Sequence, residues 1–533
     1  MSAAAVIMAA TLISGILGLV RERLLNAYFK PDELGIYTAA FRLPNLLFEL
    51  TILGALSTAF IPVFTNILVQ ENRNYAFALA AKVMNISILI VGCVSVILFI
   101  FARPVSNLIV PGFNDRERDL MVLFTRVMLI GQLLPLIIGN YIVGMLQSMQ
   151  HFILPALAPI AYNLGIILGV WLFAGHFGLY GAVWGVVIGA MFFLIIQIPL
   201  IWHLGYRHSF KLDVKDQGVR RVFSLMLPRT LGLAVSQLDT TIDLILASYL
   251  GTRNIRIFYL AQQLQNQPIN LFGATFAQAA LPVFSLEAAK KDYAAFKKLI
   301  LASMHQILFW VMPASVFLAV LRTPIVRLVY GSVKFDWPAT VLTGKTLSLF
   351  AISIFAQSLV QVFARAFYAL HDTKTPVILA GISIFTNTVL SIAFVWGFQF
   401  PIWGLALSTS IASLVHVMLL LLFLYRKVNG FDMGSLCIPP FKMIIASITS
   451  GIFLYVPLKL LDQLVYDTTR VFDLILLTSI ASASGVSVYI FLAWFFDIEE
   501  VTTFFKLIHR VKRMPRMFFD QLTQIVNGGN SIS

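Results

Sequence analysis

Three polar residues stand in line within an otherwise apolar stretch. Arg42, Asn45 and Glu49 occupy i, i+3 and i+7 at the head of LPNLLFELTILGALSTAFIPVF (43–64), so a helix places them on one face. A charge at membrane depth costs roughly 2.5 to 3.5 kcal/mol on insertion scales, so such a face turns toward protein or water and can line a polar cavity. Two further groups have the same character. Asp239 and Asp243 lie one helical turn apart among Ser236, Gln237 and Thr240; carboxylates at that depth are candidates for ion coupling. Gln263, Asn266, Gln267 and Asn270 follow the i, i+3, i+4, i+7 pattern, interrupted by Pro268, and predict an amide-lined face able to bind a polar headgroup or to bond neighbouring helices.

The elements that must carry these residues are membrane helices. Of 533 residues, 59% are hydrophobic and 12% charged, with a mean hydropathy of +0.88; soluble globular chains do not have this composition. Apolar runs of spanning length recur from end to end without the alternating pattern of a membrane barrel. The fold class expected is an all-α polytopic membrane protein of about fourteen spans: 3–28, 43–69, 79–102, 120–147, 153–175, 179–203, 222–250, 257–285, 296–321, 340–370, 374–398, 401–425, 439–461 and 470–496. The first apolar run has no basic residue ahead of it and reads as a retained helix rather than a signal peptide. Lys and Arg fall more heavily in the loops on the side of the two termini, which places both termini in the cytoplasm.

The net charge of +14 belongs to those short loops, where it sets topology and meets anionic lipid, and no basic run interleaved with aromatics points to nucleic acid. Cys93 and Cys437 are isolated and indicate neither a disulfide framework nor a metal site. The histidines have no metal-ligand spacing, and nucleotide-binding and nucleophile motifs are missing, so the expected function is transport rather than catalysis.

Landmarks repeat at a nearly constant offset. Ala59 to Phe64 (AFIPVF) resembles Ala279 to Phe284 (AALPVF), with Pro62 and Pro282 220 residues apart; Gly112 matches Gly331, Pro155 matches Pro376, and Gly181 matches Gly404. The organisation expected is a six-helix lobe at 1–204, a cytoplasmic linker at 205–221, a second six-helix lobe at 222–426 in the same orientation, two additional helices at 427–496 and a basic amphipathic tail at 497–533.

These residues resemble a known family. SGILGLVRERLL (14–25), FRLPNLLFELTILGALSTAFIPVF (41–64), VPGF (110–113), HDTKTPV (371–377) and GLALSTSIA (404–412) are similar to the MurJ/MviN family of lipid II flippases, within the multidrug/oligosaccharidyl-lipid/polysaccharide transporter superfamily. The resemblance implies alternating access, with spans 1, 2, 7 and 8 enclosing a cavity in which arginines receive the pyrophosphate of an undecaprenyl-linked precursor. Arg21 stands where the family has such an arginine, and Arg42 where it has a basic residue. Gly15, Glu49 and Gln263 replace arginines of the family, and Gly35 an aspartate. Asp243 and Asn387 fall where some members hold sodium, with Ser391 in place of a further carboxylate. The resemblance also implies the bacterial cytoplasmic membrane, no cofactor, sodium or the membrane potential as driving force, and cell-wall synthesis proteins as neighbours. Flipping of another polyprenyl-linked glycan, cation-coupled drug export through Asp239 and Asp243, and a transport-inactive scaffold are the alternatives. Pairing of Glu49 with Arg42 or Arg21 is the expected way to hold that carboxylate at membrane depth.

Overall fold

The computed structural model describes residues 3–53, 59–464 and 470–502. Helix is the only regular structure among them, as a bilayer demands of a chain that does not close into a barrel. The helices are α1 (Ala3–Tyr28), α2 (Pro31–Ala40), α3 (Arg42–Phe48), α4 (Ile61–Gln70), α5 (Arg73–Ile100), α6 (Ala102–Ile109), α7 (Asp115–Gly131), α8 (Leu133–Ser148), α9 (Ile153–Phe177), α10 (Leu179–Ile195), α11 (Ile198–His203), α12 (Gln217–Tyr249) and α13 (Thr252–Pro268). They continue as α14 (Thr275–Ala289), α15 (Tyr293–Val320), α16 (Arg322–Tyr330), α17 (Trp337–Ala351), α18 (Ile354–Ala369), α19 (Lys374–Ile392), α20 (Trp403–Lys427), α21 (Met433–Leu464) and α22 (Val471–Phe495).

Ten of the helical segments among the described residues are long and apolar enough to cross a membrane, or eleven when the α17–α18 pair, bent by 42°, counts as one span. This count, taken over the described residues, does not confirm the expected fourteen spans. Within 43–69 the described residues form α3, a π turn at Glu49–Leu53 and α4, with Pro62 in the first turn of α4. In α12, Gln237, Asp239, Thr240 and Asp243 dilute the apolar run.

The chain divides into two compact units. The first comprises Met1–Gln263, Ile325–Phe350 and Ala380–Ala412; the second comprises Leu264–Pro324, Ala351–Leu379 and Ser413–Ser533. In the first, a core built from Phe60, Phe64, Phe77, Tyr141 and Val222 packs α4, α5, α8 and the start of α12 together. Helices α9 and α10 meet through facing Gly-x-x-x-Gly pairs: a Cβ on Gly169 would lie 2.2 Å from the Cα of Gly185, and one on Gly165 2.5 Å from the Cα of Gly189. Small residues permit this backbone approach, which is how helices associate in lipid without a hydrophobic drive.

The segment entering α12 is tied down electrostatically. Lys82 of α5 pairs with Asp213 at 3.1 Å and Asp216 at 2.8 Å, and Asp216 caps α12 by accepting from the amides of Gly218 and Val219. Burial alone would raise the Asp216 carboxyl, but the Lys82 and amide bonds hold it below its ordinary range. In the second unit, Phe284, Phe296, Phe309, Phe363, Phe367 and Tyr489 form the core, and Arg365 donates to the carbonyl of Ala274 at 3.0 Å. The expected amphipathic tail lies from 503 onward outside the described residues.

Candidate functional site

A cavity of about 670 Å³ opens inside the first unit, walled by α1, α2, α3, the π turn, α8, α9, α10, α12 and α13. Its apolar wall includes Phe41, Phe48, Tyr162, Phe193 and Tyr259, and its charged groups are Arg21, Glu22, Arg42, Glu49, Asp243 and Arg256. Apolar walls with a few convergent polar groups are what a ligand cavity requires.

The centre of the cluster is a carboxylate held by two arginines. Arg21 donates to Glu22 Oε1 through Nη2 at 2.7 Å and Nε at 3.2 Å, and Arg256 Nη2 approaches Glu22 Oε2 at 2.8 Å. Glu22 and Arg256 are only 2% and 1% exposed. The outer side of each guanidinium is oriented by an amide: Arg21 Nη1 donates to Asn163 Oδ1 at 3.0 Å, and Arg256 donates to Asn26 Oδ1 at 2.8 and 3.2 Å. Two cations on one anion leave one net positive charge in a dry setting. A planar fork that stays charged is suited to oxygens of phosphate, which it can meet bidentately.

Arg42, on the first residue of α3, donates through Nε and Nη2 to Thr241 Oγ1 at 3.1 and 2.7 Å and through Nη2 to the Gln237 carbonyl at 2.5 Å. Glu49 accepts a hydrogen bond from the side-chain amide of the same Gln237. The expected ion pair of Glu49 with Arg42 or Arg21 is therefore absent among the described residues. The neutral groups of α12 reach both charges first, and Glu22 has taken Arg21.

Of the residues singled out from the sequence, Arg21, Arg42, Asn45, Glu49 and Asp243 line the cavity. The amide face of α13 does not come together there. Gln262 is the lining amide; Gln263 accepts a hydrogen bond from the Tyr330 hydroxyl at 3.0 Å. Asn266 and Gln267 are exposed and belong to the second unit. The face of α13 that meets the cavity is Ile255, Phe258, Tyr259 and Gln262, the same i, i+3, i+4, i+7 pattern in a different phase. Sequence reasoning did not single out Glu22 or Arg256 as site residues. The available signal was the Arg-Glu-Arg run at 21–23 and the placement of Arg256 on that cavity-facing turn.

Asp239, Asp243 and Asn387 do converge. Asn387 Nδ2 donates to Asp239 Oδ1 at 2.9 Å and Asp243 Oδ1 at 3.3 Å, while Ser391 donates to Asn387 Oδ1 at 3.4 Å and shares a 2.6 Å bond with Ser408. The amide nitrogen thus stands where the two carboxylates meet. A sodium ion takes oxygen donors, so this arrangement accommodates one only with Asn387 turned to present Oδ1. Among the described residues no group of three or more His, Cys, Asp or Glu side chains could hold a metal.

At Gly35, where the resembling family has an aspartate, a Cβ would lie 1.9 Å from the Thr252 carbonyl oxygen; the close passage of α2 over the start of α13 excludes any side chain. At Gly15 a Cβ meets nothing within 4 Å.

Fold and site together define a multi-pass membrane protein of transporter type, with helices enclosing a charged cavity. The chain belongs to the lipid II flippase MurJ family, whose sequence model matches residues 31–472. It is 26% identical over 500 residues to the probable lipid II flippase MurJ of Bdellovibrio bacteriovorus, covering 92% of this chain and 94% of that protein. It is 27% identical over 435 residues to the one of Treponema pallidum, covering 78% and 80%. In fold it is similar to a solved lipid II flippase MurJ in an inward closed conformation, with a TM-score of 0.75 at 22% identity, covering 92% of this chain and 98% of that one. It is also similar to an inward-facing multidrug resistance MATE family transporter of the MOP superfamily, with a TM-score of 0.65 at 14% identity over 80% of this chain and 98% of that one.

Proposed function

We propose that this protein is a lipid II flippase, moving the undecaprenyl-pyrophosphate-linked peptidoglycan precursor from the inner to the outer leaflet of the bacterial cytoplasmic membrane. The observation that carries the reading is the Arg21–Glu22–Arg256 cluster in the wall of the cavity, in a chain that belongs to this family. The pyrophosphate meets the N–H groups of the two guanidiniums left over from Glu22, Asn163 and Asn26, which hold the forks in place. The sugar and peptide fill the aromatic-walled space, and the polyprenyl tail stays in lipid.

The cavity opens to each face in turn by alternating access, and both termini lie in the cytoplasm. The membrane potential drives the cycle at about 2.3 kcal/mol per charge per 100 mV, with Asp239 and Asp243 held together by the Asn387 amide rather than by a coupling ion. Replacing sodium by choline at fixed potential, and collapsing the potential at fixed sodium, separates the two driving forces; the rate is expected to follow the potential.

The decisive test is rescue of a lipid II flippase depletion strain, scored by outer-leaflet lipid II. Wild-type protein restores it, and a variant with Arg21→Ala and Arg256→Ala does not. Growth without outer-leaflet lipid II would overturn the reading.

A further inference from the structure

The cavity holds a second set of charges that the pyrophosphate reading does not use. Glu22 neutralises Arg21 and Arg256 in part, but Arg42 and Glu49 face the same space and neither belongs to an ion pair within 4.0 Å among the described residues. They are near enough to act on each other electrostatically without touching. Gln237 is the spacer. Its carbonyl accepts from Arg42 and its side-chain amide donates to Glu49, while its own Oε1 is buried without a hydrogen-bond partner among the described residues.

Glu49 is half buried on the π turn, an element that recurs at functional positions because it breaks the helical register and re-aims side chains. A neutral amide compensates a carboxylate at membrane depth poorly; a cation compensates it well. Asn45 and Asn140 line the same cavity and supply neutral groups, so the missing cation has to arrive with the ligand. Arg42 alongside offers its charge to an anionic oxygen of the same molecule.

We propose that Glu49 recognises an ammonium group on the translocated headgroup, so that the preferred substrates are lipid-linked precursors that carry a primary amine as well as a pyrophosphate. This rests on the flippase reading and names a feature of its substrate. Glu49 and Arg42 form a dipolar subsite, and the Arg21–Arg256 forks bind the pyrophosphate.

The test uses the full-length protein in nanodiscs of phosphatidylglycerol and phosphatidylcholine, which offer no primary amine of their own. The probes are lipid II with a lysine in its stem peptide and the same lipid II N-acetylated on that lysine. Wild type is expected to bind the free-amine form about tenfold more tightly, a difference of about 1.4 kcal/mol. In Glu49→Gln the two affinities become equal, and in Glu49→Asp the preference persists. Equal affinities in the wild type would overturn the ammonium subsite while leaving the flippase reading in place. A preference that survives in Glu49→Gln would overturn the assignment to Glu49. Failure of the wild type to bind either form would remove the flippase reading and this inference with it.

Discussion

Glu22→Gln isolates the interaction that organises the cavity. The carboxylate lies 2.7 Å from one guanidinium and 2.8 Å from another. At an effective dielectric constant near 20 each contact has a Coulomb energy of about 6 kcal/mol, most of it offset by removing three charges from water. Replacing one partner does not recover that offset, and breaking a buried pair typically costs about 3 to 5 kcal/mol. Glutamine has the right shape but can accept from only one arginine while turning an NH2 toward the other. At about 1.5 °C per kcal/mol for a unit of this size, the melting midpoint in detergent, followed by tryptophan fluorescence, should fall by about 4 °C or more. Arg256→Gln in the same background should restore part of the loss, giving a coupling energy above about 1 kcal/mol. Inorganic pyrophosphate should raise the midpoint of Glu22→Gln more than that of the wild type, because two uncompensated cations remain. A midpoint within 1 °C of wild type, or strict additivity in the double variant, would refute the reasoning.

Three further outcomes follow from other contacts. Burial alone would raise the Asp372 carboxyl, but Lys427 and Thr375 hold it down to about 2. Its folded value is below the unfolded value of about 3.9, so its contribution is complete above that pH and is lost as pH falls toward about 2. Asp372→Asn should flatten the acid limb of a stability–pH curve in that window, and an unchanged limb would count against the pair. Gly35→Asp should destabilise the fold by more than the roughly 1 to 3 kcal/mol typical of overpacking, read as a lower melting midpoint, because its Cβ would lie 1.9 Å from a backbone oxygen; a wild-type midpoint would show that α2 can move. Asn387→Ala strips Asp239 and the buried Asp243 of their shared donor and should cost about 1 to 3 kcal/mol, measured as the same midpoint, with no change speaking against the cluster.

The triad also bears on how a family member tolerates the loss of several arginines. On the resemblance, Gly15, Glu49 and Gln263 are expected to replace basic residues, yet Arg21 and Arg256 remain beside one carboxylate. The net positive charge of the cavity comes from these two, with Arg42 a separate centre held by Thr241 and Gln237. The cavity thereby holds a net-positive cluster and a dipolar one.

Hydrophobic run length and composition determined that this is an all-α membrane protein, because a bilayer leaves backbone polar groups no partner except their own helix. Local periodicity also placed Arg42, Asn45 and Glu49 on one face, since i, i+3 and i+7 share a face in any helix. Periodicity is silent on what that face meets. Only the tertiary structure brought Gln237, 188 residues beyond Glu49, into contact with it ahead of any arginine. The same holds for Arg256 and Glu22, which are far apart in sequence and acquire a shared role only when α13 packs beside α1. The winding of the helix was likewise beyond run length: α3 passes into a π turn at Glu49–Leu53, which composition alone does not mark. Composition fixes the energy of entering the membrane, whereas the partners of each buried charge follow from packing geometry, which no local pattern encodes.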